Sequence, residues 1–143
     1  MNLGRSITRD EAEKIIFADL KKQNLDTKGD TIRILVRHLA ATQMALDFFQ
    51  IYRSIFGGQI FILKRLNQVA GVGLVERDVE AIYTDRKALV GRVLDEWDLQ
   101  MYLRYLFNNL LLEKSDDRFH ITHKGQDFLV WLTQRGLPED KGL

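Results

Sequence analysis

Apolar positions along this chain recur mostly three and four residues apart, the spacing of helices, and only rarely alternate as strands do. From Arg9 to Lys22, the residues Ala12, Ile15, Ile16 and Leu20 share one face and predict a first helix. Thr8 followed by Glu11 fits a capping box at its start. Asn24 to Asp30 holds Asn, Asp, Gly and Lys and predicts a loop, with Asp30 as N-cap of the next element. Thr31 to Phe56 then predicts a long helix. Its apolar residues cover more than one face: Ile34, Leu35, Leu39, Ala41, Met44, Ala45, Phe48, Phe49, Ile51, Tyr52 and Ile55. A helix apolar most of the way round is buried on several sides, so a second protomer is the expected source of part of its cover.

Gly57-Gly58 predicts a break or kink, and Gln59 to Gln68 a short apolar helix. Gly71-Val72-Gly73 reads as a loop and Glu76 to Tyr83 as a short helix. Thr84-Asp85 opens a basic segment, DRKALVGR, with the look of a turn followed by a short helix. The most informative pattern starts at Trp97. WDLQMYLRYLFNNLLL predicts a helix capped by Asp95 or Asp98 and ending near Leu112. Leu112 to Lys114 and Phe119 to Thr122 predict two short strands joined by Ser115-Asp116-Asp117-Arg118. Thr122 is the expected cap of a closing helix, and the tail after Gly136 is expected to fray. No internal repeat or low-complexity tract interrupts this order.

Composition narrows the classes. At 143 residues the chain suits one compact unit with a real core. It has no cysteine, which removes disulfides and thiolate metal sites and fits a reducing cytoplasm. The N-terminus lacks the apolar stretch of a signal peptide, and charges interrupt the longest apolar region, so no membrane span is expected. A net charge of +1 neither favours nor excludes a nucleic-acid partner.

The order helix, ribbon, capped helix resembles the recognition helix, wing and final helix of winged helix-turn-helix domains. The resemblance covers roughly residues 56–135. Leu99, Leu103 and Leu106 have the leucine spacing of the recognition helix. Leu112-Glu113-Lys114 opens the wing, and Ile121-Thr122-His123-Lys124-Gly125 closes it. Two departures stand out. Leu110 occupies the usual turn glycine, so Asn108 or Asn109 is the expected left-handed residue. The segment before the recognition helix, Thr84 to Glu96, is long for a helix-turn-helix.

The resemblance implies a mainly α fold, a winged helix-turn-helix with a two-stranded wing and N-terminal dimerisation helices. Residues 1–56 would dimerise, 57–136 form the winged domain and 137–143 a flexible tail. Leu35, Leu39, Phe48, Phe49 and Tyr52 are the expected dimer contacts. Gln100, Arg104 and Asn108 form a stripe positioned to read base edges. Arg86, Lys87, Arg92, Lys114, Arg118 and Lys124 are the candidate phosphate contacts. The implied function is a dimeric transcription regulator on double-stranded DNA, with half-sites about 34 Å apart. The alternative is a winged-helix module that binds a protein, which the apolar company of Met101, Tyr105 and Phe107 favours.

Other motifs read as structure. Gly57-Gly58-Gln59 matches the tripeptide of peptide-chain release factors, but its apolar flanks point to a kink or close packing. Gly71-Val72-Gly73 lacks the third glycine of a nucleotide fingerprint. His120 and His123 span a strand-helix junction without a third ligand, and His38 reads as a core or interface residue. Asp116-Asp117 suits a turn. No cofactor, metal or catalytic constellation is called for, and no enzyme is expected.

Overall fold

A computed structural model describes residues 7–142. The fold is mainly helical, with a small antiparallel sheet. Two compact units divide the chain, Met1–Tyr52 and Arg53–Leu143, so the boundary falls inside the long helix rather than at Gly57.

The first unit holds α1 (Ile7–Lys22) and most of α2 (Asp30–Ser54). Because α1 already includes Ile7, Thr8 lies inside the helix and is not its cap. Asp30 is likewise the first helical residue: the Gly29 carbonyl accepts from Arg33 N–H, at 3.1 Å. On α1, Ala12, Ile16 and Leu20 are half-buried but Ile15 is exposed. The residue buried there is Arg9, whose guanidinium lies 3.5 Å from Glu13, and Glu13 also takes Arg37 at 3.3 Å. Along α2 one stripe is buried: Val36, Ala40, Phe48 and Ile51. Leu35, Leu39, Leu46 and Phe49 lie exposed, and so does His38, which is therefore not a core residue of this chain.

The second unit is built around α3 (Gly57–Gln68), which touches α4 (Glu76–Leu89), α5 (Leu99–Asn108), α6 (His123–Arg135) and β3 (Arg118–Ile121). Ile60, Ile62, Leu63 and Leu66 are fully buried on α3. The sheet has three strands, not two: β1 (Leu74–Val75), β2 (Leu112–Ser115) and β3, in the order β1-β3-β2. Two residues are too few to show an alternation, which is why β1 left no mark on the hydrophobic pattern. β2 and β3 pair from Leu112 opposite Ile121 to Ser115 opposite Arg118. The loop is therefore Asp116-Asp117 alone, both at positive φ, 51° and 60°. That is the backbone of a type I′ turn, which matches the twist of a hairpin but prefers Asn-Gly or Asp-Gly.

α4 runs on to Leu89 where a turn was expected at Thr84, because side chains around and past that point, Tyr83, Arg86 and Lys87, find partners. Tyr83 donates to the Trp97 carbonyl at 2.5 Å, the Arg86 guanidinium stacks 3.6 Å from the Phe61 ring, and Lys87 reaches the carbonyls of Asp95 and Trp97. A 3₁₀ turn, Gly91–Leu94, then buries Leu94. Asp98 caps α5, accepting from Met101 N–H at 2.7 Å.

α5 ends in a Schellman motif: Leu111 N–H donates to the Leu106 carbonyl and Leu110 N–H to that of Phe107. The left-handed residue is Leu110, at φ 58°, while Asn109 stays at −92°. Thr122 locks this corner from the other side. Its hydroxyl donates to the Leu110 carbonyl at 2.5 Å and accepts from Gly125 N–H at 3.0 Å, capping α6. Gly125 is sterically required, since a Cβ there would strike the Leu111 carbonyl and come within 2.7 Å of Ile121.

Among the described residues after Gly136, 137–142, the segment is docked rather than frayed. Gly57 N–H donates to the Lys141 carbonyl at 3.1 Å, and Lys64 pairs with Glu139 at 2.5 Å.

Two substitutions test this corner by chemical denaturation. Thr122→Ala should lower stability by about 1 kcal/mol or somewhat more, since the hydroxyl serves two partners. Leu110→Gly should raise it by roughly 1 kcal/mol, because a left-handed backbone costs a side-chain-bearing residue about that much.

Candidate nucleic-acid interface

α5 carries the candidate reading face, and its amphipathic pattern is sharp. Leu99, Tyr102, Leu103 and Leu106 are buried, while Gln100, Met101, Arg104 and Asn108 are exposed and Tyr105 and Phe107 half-buried. Gln100, Arg104 and Asn108 therefore stand together on the open face at a four-residue interval. Leu110 follows them at the helix end, 67% exposed.

An aromatic cluster sets the start of α5. Phe56 lies 5.9 Å from Trp97 and 6.1 Å from Tyr102 between ring centroids, and Tyr83 lies 4.8 Å from Tyr102. The Tyr102 hydroxyl abuts Gly58, where any Cβ would collide with it. Gln59, 1% exposed, ties the same corner: its amide donates to the Tyr102 carbonyl at 2.6 Å and accepts from Phe56 N–H at 3.0 Å. Gly58 and Gln59 are thus committed to packing α3 against α5, and Gly57 to the close approach of the segment at Lys141.

The expected phosphate contacts are mostly engaged inside the fold. Lys87 is spent on two backbone carbonyls, each at 3.2 Å. Lys114 pairs with Glu76 at 2.8 Å, and that carboxylate raises the lysine pKa. Arg118 donates to the Gly73 carbonyl at 3.3 Å. Arg86 is half-buried over Phe61. Each of these four has an acceptor or ring within the chain that sequence separation concealed, while Lys114 and Arg118 stay exposed. Arg92 and Arg104 are exposed, and Lys124 is half-buried at the start of α6. One candidate was missed: Arg77, in the first turn of α4, has a side chain 90% exposed and 3.7 Å from Asp78. Its place beside β1 was hidden because β1 was.

The remaining motifs stay apart. His120 sits on β3 opposite Glu113, and His123 opens α6. Of the expected dimer residues, Leu35, Leu39 and Phe49 are exposed and Tyr52 half-buried. Phe48 is fully buried within the chain and has no surface left to offer a partner. No helix among the described residues is long and apolar enough to cross a membrane. Comparison with known proteins gives no matching family model, no matching curated protein and no matching solved structure.

Two outcomes follow from these contacts. Lys87→Ala should lower stability by about 1 kcal/mol through its lost carbonyl bonds, with little effect on the salt dependence of any ligand. The Tyr102 phenol is pushed up to about 12 from 10.0, mainly by burial, with Tyr83 adding and Arg86 opposing. The folded chain therefore holds this proton more tightly than the unfolded one. Its contribution is complete below about pH 10 and is lost as pH rises toward about 12. Denaturation midpoints measured from about pH 9 to about pH 11 should fall less steeply in Tyr102→Phe.

Proposed function

We propose that residues 57–136 form a winged helix-turn-helix domain and that the protein acts as a homodimeric regulator on double-stranded DNA. The element order α3-β1-α4-α5-β2-β3-α6 and the strand order β1-β3-β2 support the domain reading. The observation that carries the functional reading is the exposed stripe Gln100, Arg104 and Asn108 on a helix whose opposite face is leucine and tyrosine. These side chains are of the kinds that pair with base edges in the major groove. Phosphate attraction is modest, because Lys87, Lys114 and Arg118 already have partners and the wing tip is Asp116-Asp117. Affinity then depends on few released counterions.

A second reading has its own support. Leu110 and Met101, both exposed, flank the stripe with apolar surface, and the unit from Arg53 to Leu143 has balanced charge. Both features suit a protein partner docking on α5.

Titration of labelled duplexes at several salt concentrations separates the two. DNA binding predicts a shallow log–log slope, of magnitude about 2–4, for a few phosphate contacts. Arg104→Ala should then cost about 1–3 kcal/mol of discrimination between sites if its base contact is bidentate. Arg92→Ala should weaken all duplexes alike. Absence of salt-sensitive affinity for any duplex at low ionic strength rejects the DNA reading in favour of the protein partner.

A further inference from the structure

α2 carries two apolar faces, and they have different periods. The buried stripe, Val36, Ala40, Phe48 and Ile51, belongs to the fold of the chain itself. Set apart from it runs a second series: Ile32, Leu35, Leu39, Thr42, Leu46 and Phe49. The steps alternate three and four residues without a break, a repeat of 3.5. That is the spacing of a coiled-coil seam, kept over about two and a half heptads. Ile32 is half-buried and Thr42 exposed. Leu35, Leu39, Leu46 and Phe49 are between 39% and 59% exposed.

We infer that this seam pairs with the same seam of a second copy, with the two helices antiparallel and the two-fold axis between Ala40 and Ala41. The inference rests on the dimeric reading above and adds its surface, direction and register. In this register every seam residue has a counterpart. Ile32 meets Phe49 of the second copy, Leu35 meets its Leu46, and Leu39 meets its Thr42. No apolar member is left over at either end.

Helix dipoles favour this direction. Arg53 continues the series by four more residues, inside the last turn of α2. A parallel pair would stack Arg53 on its own copy and align the two helix dipoles. The antiparallel pair opposes the dipoles and brings Arg53 level with Lys28 of the second copy, with Asp26 and Asp30 two residues to either side. The positions flanking the seam, His38, Gln43, Ala45 and Gln50, carry no carboxylate, lysine or arginine that would oppose this direction.

The test uses the natural absence of cysteine, so that each introduced thiol reports alone. Light scattering first gives the mass of the full chain, expected to be a dimer. Leu35→Cys and Leu46→Cys are then oxidised mildly, separately and as a mixture. In the antiparallel register each residue lies about 16 Å along the axis from its own copy, beyond the roughly 7 Å that a disulfide spans between Cα atoms. Neither variant should link to itself, and the mixture should give the mixed dimer. Leu39→Asp should raise the dissociation constant by roughly 30-fold or more, as loss of a central apolar contact does, with a native far-ultraviolet circular dichroism spectrum. Self-linking of Leu35→Cys overturns the antiparallel register while leaving a dimer in place. A dimer that links in no combination overturns the seam, and a monomer overturns the dimer itself. Duplex affinity is measured separately, so loss of the DNA reading is distinguishable from each of these outcomes.

Discussion

One hydroxyl holds the second unit together at its sharpest corner. Thr122 gives its proton to the Leu110 carbonyl and takes one from Gly125 N–H. The first bond fixes the end of α5; the second starts α6; the wing strands run between them. Gly125 lets the backbone of α6 come so close to Leu111 that no side chain fits. Leu110 absorbs the strain, at φ 58° where glycine would be relaxed. Leu110 at the end of α5 and Thr122 with Gly125 at the start of α6 thereby set the angle at which α5 presents its outer face. A loosened cap would move the wing, the closing helix and the stripe together.

Much of this was legible from residue order. Leu99, Leu103 and Leu106 declared the inner face of α5, Thr122 declared one cap and the pair Asp95 and Asp98 held the other, which is Asp98, and Gly57-Gly58 declared the break before α3. Local chemistry determines each of these, so a local pattern carries them. What was hidden depended on distant partners. α4 extends to Leu89 because Arg86 and Lys87 reach Phe61 and two carbonyls that no window of sequence connects. β1 exists because β3 offers it an edge. Asn109 was the better left-handed candidate by intrinsic preference, yet position in the Schellman motif, not residue type, selected Leu110.

The same divide governs the candidate interface. Exposure of Gln100, Arg104 and Asn108 follows from helical period alone. The engagement of cations does not: Lys114, Arg118 and Lys87 look alike as sequence and differ only in which acceptor lies near. A lysine beside a carboxylate has part of its charge offset, so a phosphate gains less from it than from an isolated cation. Counting basic residues therefore overstates the attraction this surface exerts.

Phe48 and Phe49 are chemically identical neighbours in the chain, yet their burial differs. Phe48 is wholly enclosed, so its free energy enters a unimolecular process that dilution leaves untouched. Phe49 is 39% exposed, and under the proposed pairing that remaining surface would gain cover only from a second molecule, a contribution growing as the logarithm of that molecule's concentration. Crowded and dilute preparations would then differ in how much Phe49 contributes and not in how much Phe48 does.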